Sequence, residues 1–473
     1  MDGNLKTNKE YAMKKVFDEV GTLDRRCYEE FALSEDILME HAASSMAKFC
    51  EDKFEEKSVV LIVCGLGNNG ADGIALARLL YKKFDVKLYI PFGVKSQMAQ
   101  LQLKRVKLLG IEEINFVCSC DVVVDCLFGS GLNKDLDESS IELLKRVNYL
   151  DAYKIACDIS SGINTLGQIH SVAFKAHTTI TMGAYKNSLF SDSAKNYIGE
   201  IIVANLGVQR DVYESSSNTF LLEKSDMKLP FRKDKNSHKG TFGHVSIIMG
   251  EKCGAGRIAC DAAFKFGAGL VTAVCHKELN LPYHIMQSHF IPDNCTSIAI
   301  GMGLGNYEIE EIKKILALNI PQVIDADLFY EELILETLNK EFVLTPHPKE
   351  FCSLLKLCNI ADINVQTLQN DRFKYIEMFT SKYPNITLLL KGANTIIAKD
   401  KKRFINNHGT SNLSKGGSGD VLSGLIASLL AQGYNSLDAA ITASLAHSFA
   451  ARNFNKNSYS LTPQDIIDEV TKL

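Results

Sequence analysis

The sequence predicts an α/β protein of two domains, each built on a doubly wound, mainly parallel sheet, and three observations predict it. Apolar residues make up 46% of the 473 residues and charged residues 23%, as in ordinary globular proteins. Short β-branched runs alternate with stretches of helical spacing, which indicates parallel strands joined by helical crossovers. A charged stretch containing Pro230 separates two such series. We therefore predict domains at 1–222 and 238–473, joined by a linker at 223–237.

The first series alternates strands and helices from residue 59 onward. VVLIVCG is a β-branched run closed by glycine, which is typical of a buried strand, and GADGIALARLLYKKF after it has helical spacing. The same reasoning gives the later elements. The predicted strands are 59–65, 86–93, 121–129 and 154–162, the helices are 70–84 and 98–110, and the last strands fall within 178–190 and 198–207.

The second series repeats this alternation after the linker. Its predicted strands fall within 244–250, 296–305, 321–328, 341–348 and 387–398, its first helix within 256–270, and its final loop and helix within 416–433.

Charge and cysteine content exclude several classes of protein. A formal net charge of −4 without a Lys/Arg-rich block argues against nucleic-acid partners. The polar first twenty residues do not resemble a secretory signal, and the apolar stretch at 421–433 is too short and too rich in Gly and Ser to span a bilayer. Thirteen irregularly spaced cysteines favour free thiols over disulfides or zinc sites. We expect a cytoplasmic protein.

A glycine-rich loop follows the first predicted strand. GLGNNGADG, at Gly65–Gly73, would let the backbone approach a phosphate at a helix N-terminus, although a tight strand–helix turn explains the glycines equally well. Asn68, Asn69 and Asp72 add amide and carboxylate oxygens, which are ligands for hard cations.

Two further strand ends carry acidic and hydroxyl side chains. Asp125 lies in the predicted strand segment 121–129, and Asp158 and Ser161 lie toward the end of the next one, 154–162. Because the carboxyl ends of parallel strands line the binding crevice of an open sheet, these side chains should converge on one site. Each aspartate alone could instead cap a helix or turn.

These segments, with TMGAYKNSL at 181–189, resemble the NAD(P)HX epimerase family, which has a Rossmann-like fold. The resemblance implies a potassium ion held by Asn69, Asp125 and Ser161. It also implies that Asp158 lies beside the reacting ring. Two departures from the family pattern are Ala71 in place of glycine and Ser160 in place of proline. The substrate residues that it implies are Asn68, Asn69, Gly70, Ala71, Asp72, Gly129, Ser130, Gly131, Leu132, Asn133, Lys134, Asp135 and Asp158.

Epimerisation at a hydrated carbon requires reversible loss of hydroxyl or ring opening, and both steps benefit from an acid or base nearby. Asp158 is the first candidate for this catalytic role. Lys186 is a second candidate, although a single lysine is more often a solvated surface residue.

KGGSGDVLSG, at Lys415–Gly424, is the strongest local signal in the chain. Its small residues can place backbone N–H groups around an anion at a helix N-terminus. Asp420 would then act as a base on a hydroxyl while this anion hole stabilises a transferred phosphate. The alternative is a helix capped by Ser418, with Asp420 placed in the first turn by the helix dipole.

This motif resembles the ribokinase-like superfamily, and the segments before it narrow the resemblance to the NAD(P)HX dehydratase family. The resemblance implies substrate contacts from Ala255, Gly303, His347 and Asp420, with Asp420 catalytic. It also implies nucleotide contacts, which would come from Lys391, Gly392, Ala393, Asn394, Thr395 and Gly419. Met302 replaces a proline of the family pattern.

The implied chemistry solves a leaving-group problem, because hydroxide leaves the hydrated ring poorly. Phosphorylation of that hydroxyl, followed by loss of phosphate, would couple dehydration to nucleotide hydrolysis, with Mg²⁺ on the phosphates. His347 and Glu350 could orient substrate or metal. The fusion of both domains in one chain favours ADP, which would give AMP and phosphate, although residue chemistry alone does not separate ADP from ATP.

We therefore predict an isomerase and lyase that repairs NADHX or NADPHX, with K⁺, Mg²⁺ and ADP as cofactors and a homo-oligomeric assembly. Three alternatives stay open: a ribokinase-like kinase of a vitamin precursor or sugar, a non-catalytic binding module, and an NAD-dependent dehydrogenase. The dehydrogenase lacks a clearly placed acidic residue for a ribose after the second strand.

Overall fold

The computed structural model describes residues 13–473, which divide into two compact units. The first unit comprises Lys15–Ser217, and the second comprises Asn218–Leu473 together with the segment ending at Lys14. Residues 223–237 fall within the range of the second unit and include a 3₁₀ turn at Lys224–Asp226. The first twelve residues, where we predict no secretory signal, lie outside the described part of the chain.

Residues 14–217 form nine strands and seven helices, and every strand predicted for this series is present. The strands are β1 (Lys14–Phe17), β2 (Val59–Cys64), β3 (Asp85–Tyr89), β4 (Glu113–Ile114), β5 (Val122–Cys126), β6 (Tyr153–Cys157), β7 (Thr178–Met182), β8 (Tyr185–Lys186) and β9 (Glu200–Ala204). The helices are α1 (Gly21–Glu30), α2 (Glu35–Lys53), α3 (Asn68–Leu80), α4 (Gln97–Leu108), α5 (Glu138–Asn148), α6 (Lys195–Ile198) and α7 (Arg210–Tyr213).

Seven of these strands form one parallel sheet in the order β4-β3-β2-β5-β6-β7-β9. From β2 the chain winds outward through β3 and β4, and from β5 it winds the other way through β6, β7 and β9. The order therefore reverses between β2 and β5, where open α/β sheets form their binding crevice.

Alternate residues of the central strands pack into two separate hydrophobic cores, one on each face of the sheet. Val60 and Ile62 of β2 pack on one face with apolar residues of α2, α3 and α4. Leu61 and Val63 pack on the other face with α5. Both faces are buried, so these strands are apolar throughout, as expected for a parallel sheet between helical layers.

Residues 218–473 form ten strands and eight α-helices. The strands are β10 (Thr219–Leu221), β11 (His244–Ile248), β12 (Leu270–Val274), β13 (Met286–Ser288), β14 (Ser297–Ile300), β15 (Gln322–Ile324), β16 (Val343–Leu344), β17 (Thr387–Leu390), β18 (Thr395–Lys399) and β19 (Lys402–Asn406). The helices are α8 (Cys253–Lys265), α9 (Ile309–Ala317), α10 (Pro348–Leu357), α11 (Val365–Asn370), α12 (Arg372–Lys382), α13 (Ser418–Ala431), α14 (Ser436–Asn453) and α15 (Pro463–Val470).

These ten strands pair in the order β13-β12-β11-β14-β15-β16-β17-β18-β19-β10. Pairing is parallel from β13 to β17 and antiparallel through the β17–β18 and β18–β19 pairs. The order reverses between β11 and β14, which gives this unit its own switch point. The predicted α/β fold class, with two wound sheets, is confirmed.

Helix α13 lies very close to α8 on one face of this sheet. A Cβ added to Gly424 would lie 2.3 Å from the carbonyl oxygen of Ala259, so only glycine permits the crossing. This packing fixes the N-terminal end of α13, which carries the strongest sequence motif.

The structure also bears on two predictions made from composition, one about the cysteines and one about membrane-spanning helices. All 13 cysteines are free, and ten of them are buried while Cys118, Cys120 and Cys253 are half-buried. Among residues 13–473, no helix is both long enough and apolar enough to cross a bilayer.

Candidate active sites

The glycine loop after β2 is shaped by close backbone contacts at the first switch point. A Cβ on Gly65 would lie 1.9 Å from the carbonyl oxygen of Leu127, and one on Gly70 would lie 1.9 Å from that of Gly65. Side chains are therefore excluded at both positions. Helix α3 begins at Asn68, and Gly67 at its N-cap provides no side-chain cap. The N–H groups of the first turn therefore lack a side-chain partner there.

Asp125 and Ser161 meet at the carboxyl ends of β5 and β6. The buried Asp125 carboxylate accepts hydrogen bonds from the Ser161 N–H at 2.8 Å and the Ser161 hydroxyl at 2.7 Å. Ser161 Oγ also accepts from the Phe128 N–H at 2.8 Å and lies 3.2 Å from the Phe128 carbonyl oxygen. Burial raises the pKa of Asp125, and the hydrogen bonds to its carboxylate lower it. Burial has the larger effect, and the pKa is raised to about 6.

Asn69 lies beside this oxygen cluster. Its Oδ1 would be 3.3 Å from a Cβ built on Gly129, and its buried Nδ2 has no hydrogen-bond partner among the described atoms. The donor set therefore consists of hard carboxylate, hydroxyl, carbonyl and amide oxygens, which suits an alkali or alkaline-earth cation rather than a soft metal.

Asp158 occupies the centre of the first site in an unusual backbone conformation. Its φ of +68° lies in the left-handed region that favours glycine. The carboxylate accepts from the Ser130 N–H at 3.1 Å and the Met182 N–H at 3.2 Å, and it forms an ion pair with Lys186. Burial alone would raise the pKa of Asp158, but the Lys186 ammonium holds it below its ordinary value.

Lys186 is not a solvated surface residue, which corrects the expectation stated for a single lysine. It is 1% exposed, on the two-residue strand β8, and its ammonium also donates to Thr181 Oγ1 at 2.7 Å. The ion pair with Asp158 and the hydrogen bond to Thr181 compensate for the burial of this side chain.

The pKa of a second carboxyl group, that of Asp72, is shifted in the opposite direction. Burial raises the pKa of Asp72 well above its ordinary value, and the negative charges of Asp158, Asp24 and Glu35 raise it further. The environments of the two carboxyl groups therefore shift their pKa values in opposite directions, upward for Asp72 and downward for Asp158. Asp24 accepts a hydrogen bond from the Tyr213 hydroxyl at 2.8 Å, and burial raises its pKa as well.

The remaining predicted residues of the first site surround this centre. Ala71 is buried in α3, Asn68 donates to Glu35, and Asp135 pairs with His170 at 2.8 Å. The backbone of Leu132 accepts a hydrogen bond from Thr165 at 3.3 Å. Gly129, Ser130, Gly131, Leu132, Asn133, Lys134 and Asp135 form the loop after β5, of which Ser130 contacts Asp158.

Helix α13 of the second unit begins without a side-chain cap. Its N-cap is Gly417 at φ +90°, and Ser418, which we considered as a cap, instead pairs through its hydroxyl with His447 Nε2 at 3.1 Å. Burial lowers the pKa of His447 to about 4, so this ring is neutral. The capping alternative for Ser418 is therefore wrong, and the first N–H groups of α13 are left to bind an anion.

Asp420, in the first turn of α13, faces a buried ion pair. Asp325 Oδ1 accepts from Lys391 Nζ at 2.9 Å, and an added Cβ on Gly419 would be 3.5 Å from that nitrogen. Burial and the Asp325 charge raise the pKa of Asp420 to about 6, while Lys391 opposes this rise. Burial lowers the pKa of Lys391, but Asp325, Glu350 and Asp420 together hold it above its ordinary value.

Residues 391–395, which the resemblance implies as nucleotide contacts and which we call the nucleotide loop, connect β17 to β18. The buried Arg372 side chain donates to the carbonyl oxygens of Asn394 at 2.8 Å, Leu390 at 3.1 Å and Lys391 at 3.2 Å. The Lys391 N–H bonds the Pro346 carbonyl at 2.9 Å. The loop, with Gly392, Ala393 and Thr395, is therefore held through its backbone.

His347 caps helix α10. Its Nδ1 accepts from the N–H groups of Lys349 at 3.1 Å and Glu350 at 3.2 Å, and its Nε2 lies 3.1 Å from Glu350 Oε1. Burial lowers the pKa of His347, and burial raises that of Glu350 to about 7. Both ring nitrogens thus have protein partners, which gives His347 a structural role in addition to any contact with a ligand.

Ala255 and Gly303 are neighbours at the second switch point. Gly303, at φ +60°, accepts from the Lys252 N–H at 3.0 Å, and an added Cβ would be 3.4 Å from that of Ala255. The buried Met302 keeps its place in the turn without the rigidity of proline.

Sequence reasoning missed Asp325, Arg372 and His447 as parts of the second site. Asp325 directly follows β15, the same strand-end signal that identified Asp125, and could have been found. Arg372 and His447 lie on helices far away in sequence, and no local pattern marks them.

Comparisons with known proteins agree across the chain. The family described as YjeF-related protein N-terminus matches residues 35–188, and the one described as NAD(P)H-hydrate dehydratase matches 245–472. The bifunctional NAD(P)H-hydrate repair enzyme Nnr of Helicobacter pylori is 44% identical over 472 residues, which covers 98% of this chain and 100% of the relative. The enzyme of the same name from Escherichia coli is 30% identical, covering 92% and 88%.

Among solved structures, the ADP/ATP-dependent NAD(P)H-hydrate dehydratase of Bacillus subtilis, co-crystallised with ATP/Mg²⁺, is 23% identical to this chain. It covers 51% of this chain and 92% of its own length, with a TM-score of 0.42.

Proposed function

The chain belongs to the bifunctional NAD(P)H-hydrate repair enzymes, and we propose how its residues carry out the two reactions of that family. It interconverts the R and S forms of hydrated NADH or NADPH and dehydrates the S form in a nucleotide-dependent reaction. Because the similarity to this family extends over the whole chain, it favours these activities over the three alternatives left open by the sequence, which are a kinase, a binding module and a dehydrogenase.

Epimerisation is proposed to take place at the switch point between β2 and β5. Asp158, whose pKa is lowered by Lys186, would act as the base, and Asp72, whose pKa is raised by burial, would act as the acid. Two neighbouring carboxyl groups whose environments push their pKa values apart are suited to such a division of roles. The glycine loop and the loop 129–135 would bind the dinucleotide around them.

Potassium is proposed to be held by Asn69, Asp125 and Ser161. The cluster of hard oxygens around the buried Asp125 carboxylate supports this proposal. The ion, when bound, would supply positive charge close to the substrate loop. Asp125 would then be fully ionised, and Ser161 would keep its hydroxyl oriented.

Dehydration is proposed to depend on Asp420. This carboxylate would take the proton of the ring hydroxyl as the hydroxyl oxygen accepts the terminal phosphoryl group of the nucleotide. The C–O bond of the resulting phosphate ester then breaks, phosphate leaves with the bonding electrons, and loss of a proton from the adjacent ring carbon to solvent restores the ring double bond. A base whose pKa is near 6 is ionised at neutral pH and still accepts a proton.

The nucleotide would lie between the N-terminus of α13 and the nucleotide loop. Lys391 would hold its phosphates, Gly419 would leave room for them, and Ala255, Gly303 and His347 would contact the hydrated ring. Among the described residues, no group of three His, Cys, Asp or Glu side chains could hold a metal ion. Mg²⁺ would therefore be held mainly by the phosphates, whose charge it would neutralise.

The observation that carries the dehydratase assignment is Asp420 at an uncapped helix N-terminus beside Lys391. We predict that Asp420→Asn abolishes dehydration and leaves epimerisation intact, because Asp158 lies in the other unit. The assay incubates hydrated NADH with Mg²⁺ and ADP or ATP and follows the return of absorbance of the reduced ring. Equal loss of both activities would contradict the division of labour.

ADP as the nucleotide, with AMP and phosphate as products, stays a prediction, as do homo-oligomeric assembly and a cytoplasmic location. A comparison of ADP with ATP in the same assay tests the first of these.

A further inference from the structure

Asp325 connects two parts of the second site through its two carboxylate oxygens. Oδ1 accepts from Lys391 Nζ at 2.9 Å, at the start of the nucleotide loop. Oδ2 accepts from the Ser423 hydroxyl at 2.7 Å, one turn beyond Asp420 on α13. Asp325 is 2% exposed and the Lys391 side chain is 23% exposed, so solvent screens these charge-assisted hydrogen bonds only partly.

The backbone holds Asp325 in a fixed place. Its N–H bonds the Ile300 carbonyl at 3.0 Å, and a Cβ on Gly301 would lie 1.8 Å from the Asp325 carbonyl oxygen. Ala326, the next residue, has a φ of +48°, which turns the chain sharply after β15. The carboxylate is therefore attached rigidly to the end of β14, beside the turn that contains Gly303.

Few charges act on Asp420. Among the described residues they are those of Asp325, from the end of β15, and Lys391, from the end of β17. Helices α8, α14 and α15 also pack against α13, and the one ring they bring to its first turn, His447, is neutral. Glu350 of α10 acts on Lys391 instead. Asp325 is thus the negative charge that controls the surroundings of Asp420.

We propose that Asp325 is a positioning residue for dehydration: it keeps Lys391 on the nucleotide side of the site, ties α13 to the end of β15, and prevents Lys391 from pairing with Asp420. Asp325 does not touch the reacting atoms. It acts through Lys391 and Asp420, and the inference rests on the proposed dehydratase function.

The test uses the full chain with Asp325→Asn, which keeps shape and removes charge. Two changes favour the ionised form of Asp420 in this variant: the Asp325 charge is gone, and Lys391 is free to approach. The apparent pKa of the acidic limb of kcat should therefore fall by roughly one unit relative to the unaltered chain. At neutral pH, kcat should fall by up to about tenfold, the limit set by one pKa unit, because Asp420 becomes a weaker base.

A second variant, Ser423→Ala, separates the effect of the hydrogen bond to Asp325 from the effect of the Asp325 charge. It removes the hydrogen bond to Oδ2 and leaves the Asp325 carboxylate in place, so the acidic limb should stay within about 0.3 units of its original position. The KM for the nucleotide should rise about threefold or more as α13 loses its connection to Asp325. If Asp325→Asn does not fold, Ser423→Ala carries the test alone, and an unchanged KM overturns the proposal.

Glu341→Gln is the matched control. Glu341 pairs with Lys399 in the same unit, at the surface, and its loss should change neither the pH profile nor KM. Epimerase activity in every variant reports on the first unit. A folded Asp325→Asn variant with an unshifted acidic limb refutes the positioning role. Absence of dehydration by the unaltered chain would instead refute the proposed function.

Discussion

Replacement of Lys186 by Met should destabilise the first unit strongly. The substitution keeps the aliphatic stem and leaves Asp158 as an unpaired buried carboxylate. Breaking a buried ion pair costs about 3–5 kcal/mol. We expect the lower end, about 3 kcal/mol, because the Ser130 and Met182 N–H groups continue to donate to the carboxylate. Domains are stabilised by about 5–15 kcal/mol in total, so the loss is large.

The loss should depend on pH in a defined direction. In the unaltered chain the pKa of Asp158 is lowered, so its contribution to stability is present above the unfolded pKa and is lost as pH falls through the folded value. Without Lys186, burial is the largest remaining influence and raises that pKa. The Lys186→Met variant is therefore destabilised at neutral pH and regains stability as Asp158 is protonated. The difference between the two proteins should shrink from pH 7.5 toward pH 4.5.

Hydrogen exchange read by mass spectrometry measures this effect for peptides of β6 and β7 alone, which avoids treating a two-unit chain as one transition. Lys83→Met, which removes an exposed pair with Glu51 at 3.3 Å, is the control and should cost under about 1 kcal/mol. The reasoning is refuted if Lys186→Met costs no more than this control, or if its cost is the same at both pH values.

Three other predictions concern the two sites. Gly70→Ala should abolish epimerisation, measured by the exchange of R and S forms, because its Cβ would overlap the Gly65 carbonyl, and a fully active variant would contradict this. The kcat for dehydration should decline below a pH of about 6 as Asp420 is protonated, and a profile flat down to pH 5 would exclude it as the base. Arg372→Met should raise the KM for the nucleotide roughly tenfold while epimerisation stays unchanged, because three carbonyl groups of the nucleotide loop lose their donor.

The sequence predicted those features that follow from local pattern. The β-branched runs marked the central strands because both faces of a parallel sheet are buried. Asp125 and Asp158 could be assigned to one crevice because parallel strands place their carboxyl ends at the same edge. The helix start with an anion hole was predicted from the consecutive small residues between Lys415 and Asp420, whereas capping by Ser418 stayed open until the structure placed Gly417 at the N-cap.

The remaining features depend on contacts between distant segments. Lys186 is buried only because β8 brings it to Asp158, and nothing around it in sequence distinguishes it from a surface lysine. The segment 387–398 forms two antiparallel strands around the nucleotide loop, and the guanidinium group that holds this loop comes from α12. Strands of two or three residues, such as β4 and β13, are too short to leave a periodic signal.

The distribution of thiols provides a means of following each half of the chain separately. The protein has no tryptophan, so intrinsic fluorescence is a weak reporter of its unfolding. Cys118 and Cys120 in one half and Cys253 in the other are partly accessible, whereas the other ten thiols are shielded until their surroundings open. Pulsed alkylation followed by peptide mapping would therefore measure when each core opens during unfolding, and it needs no engineered label.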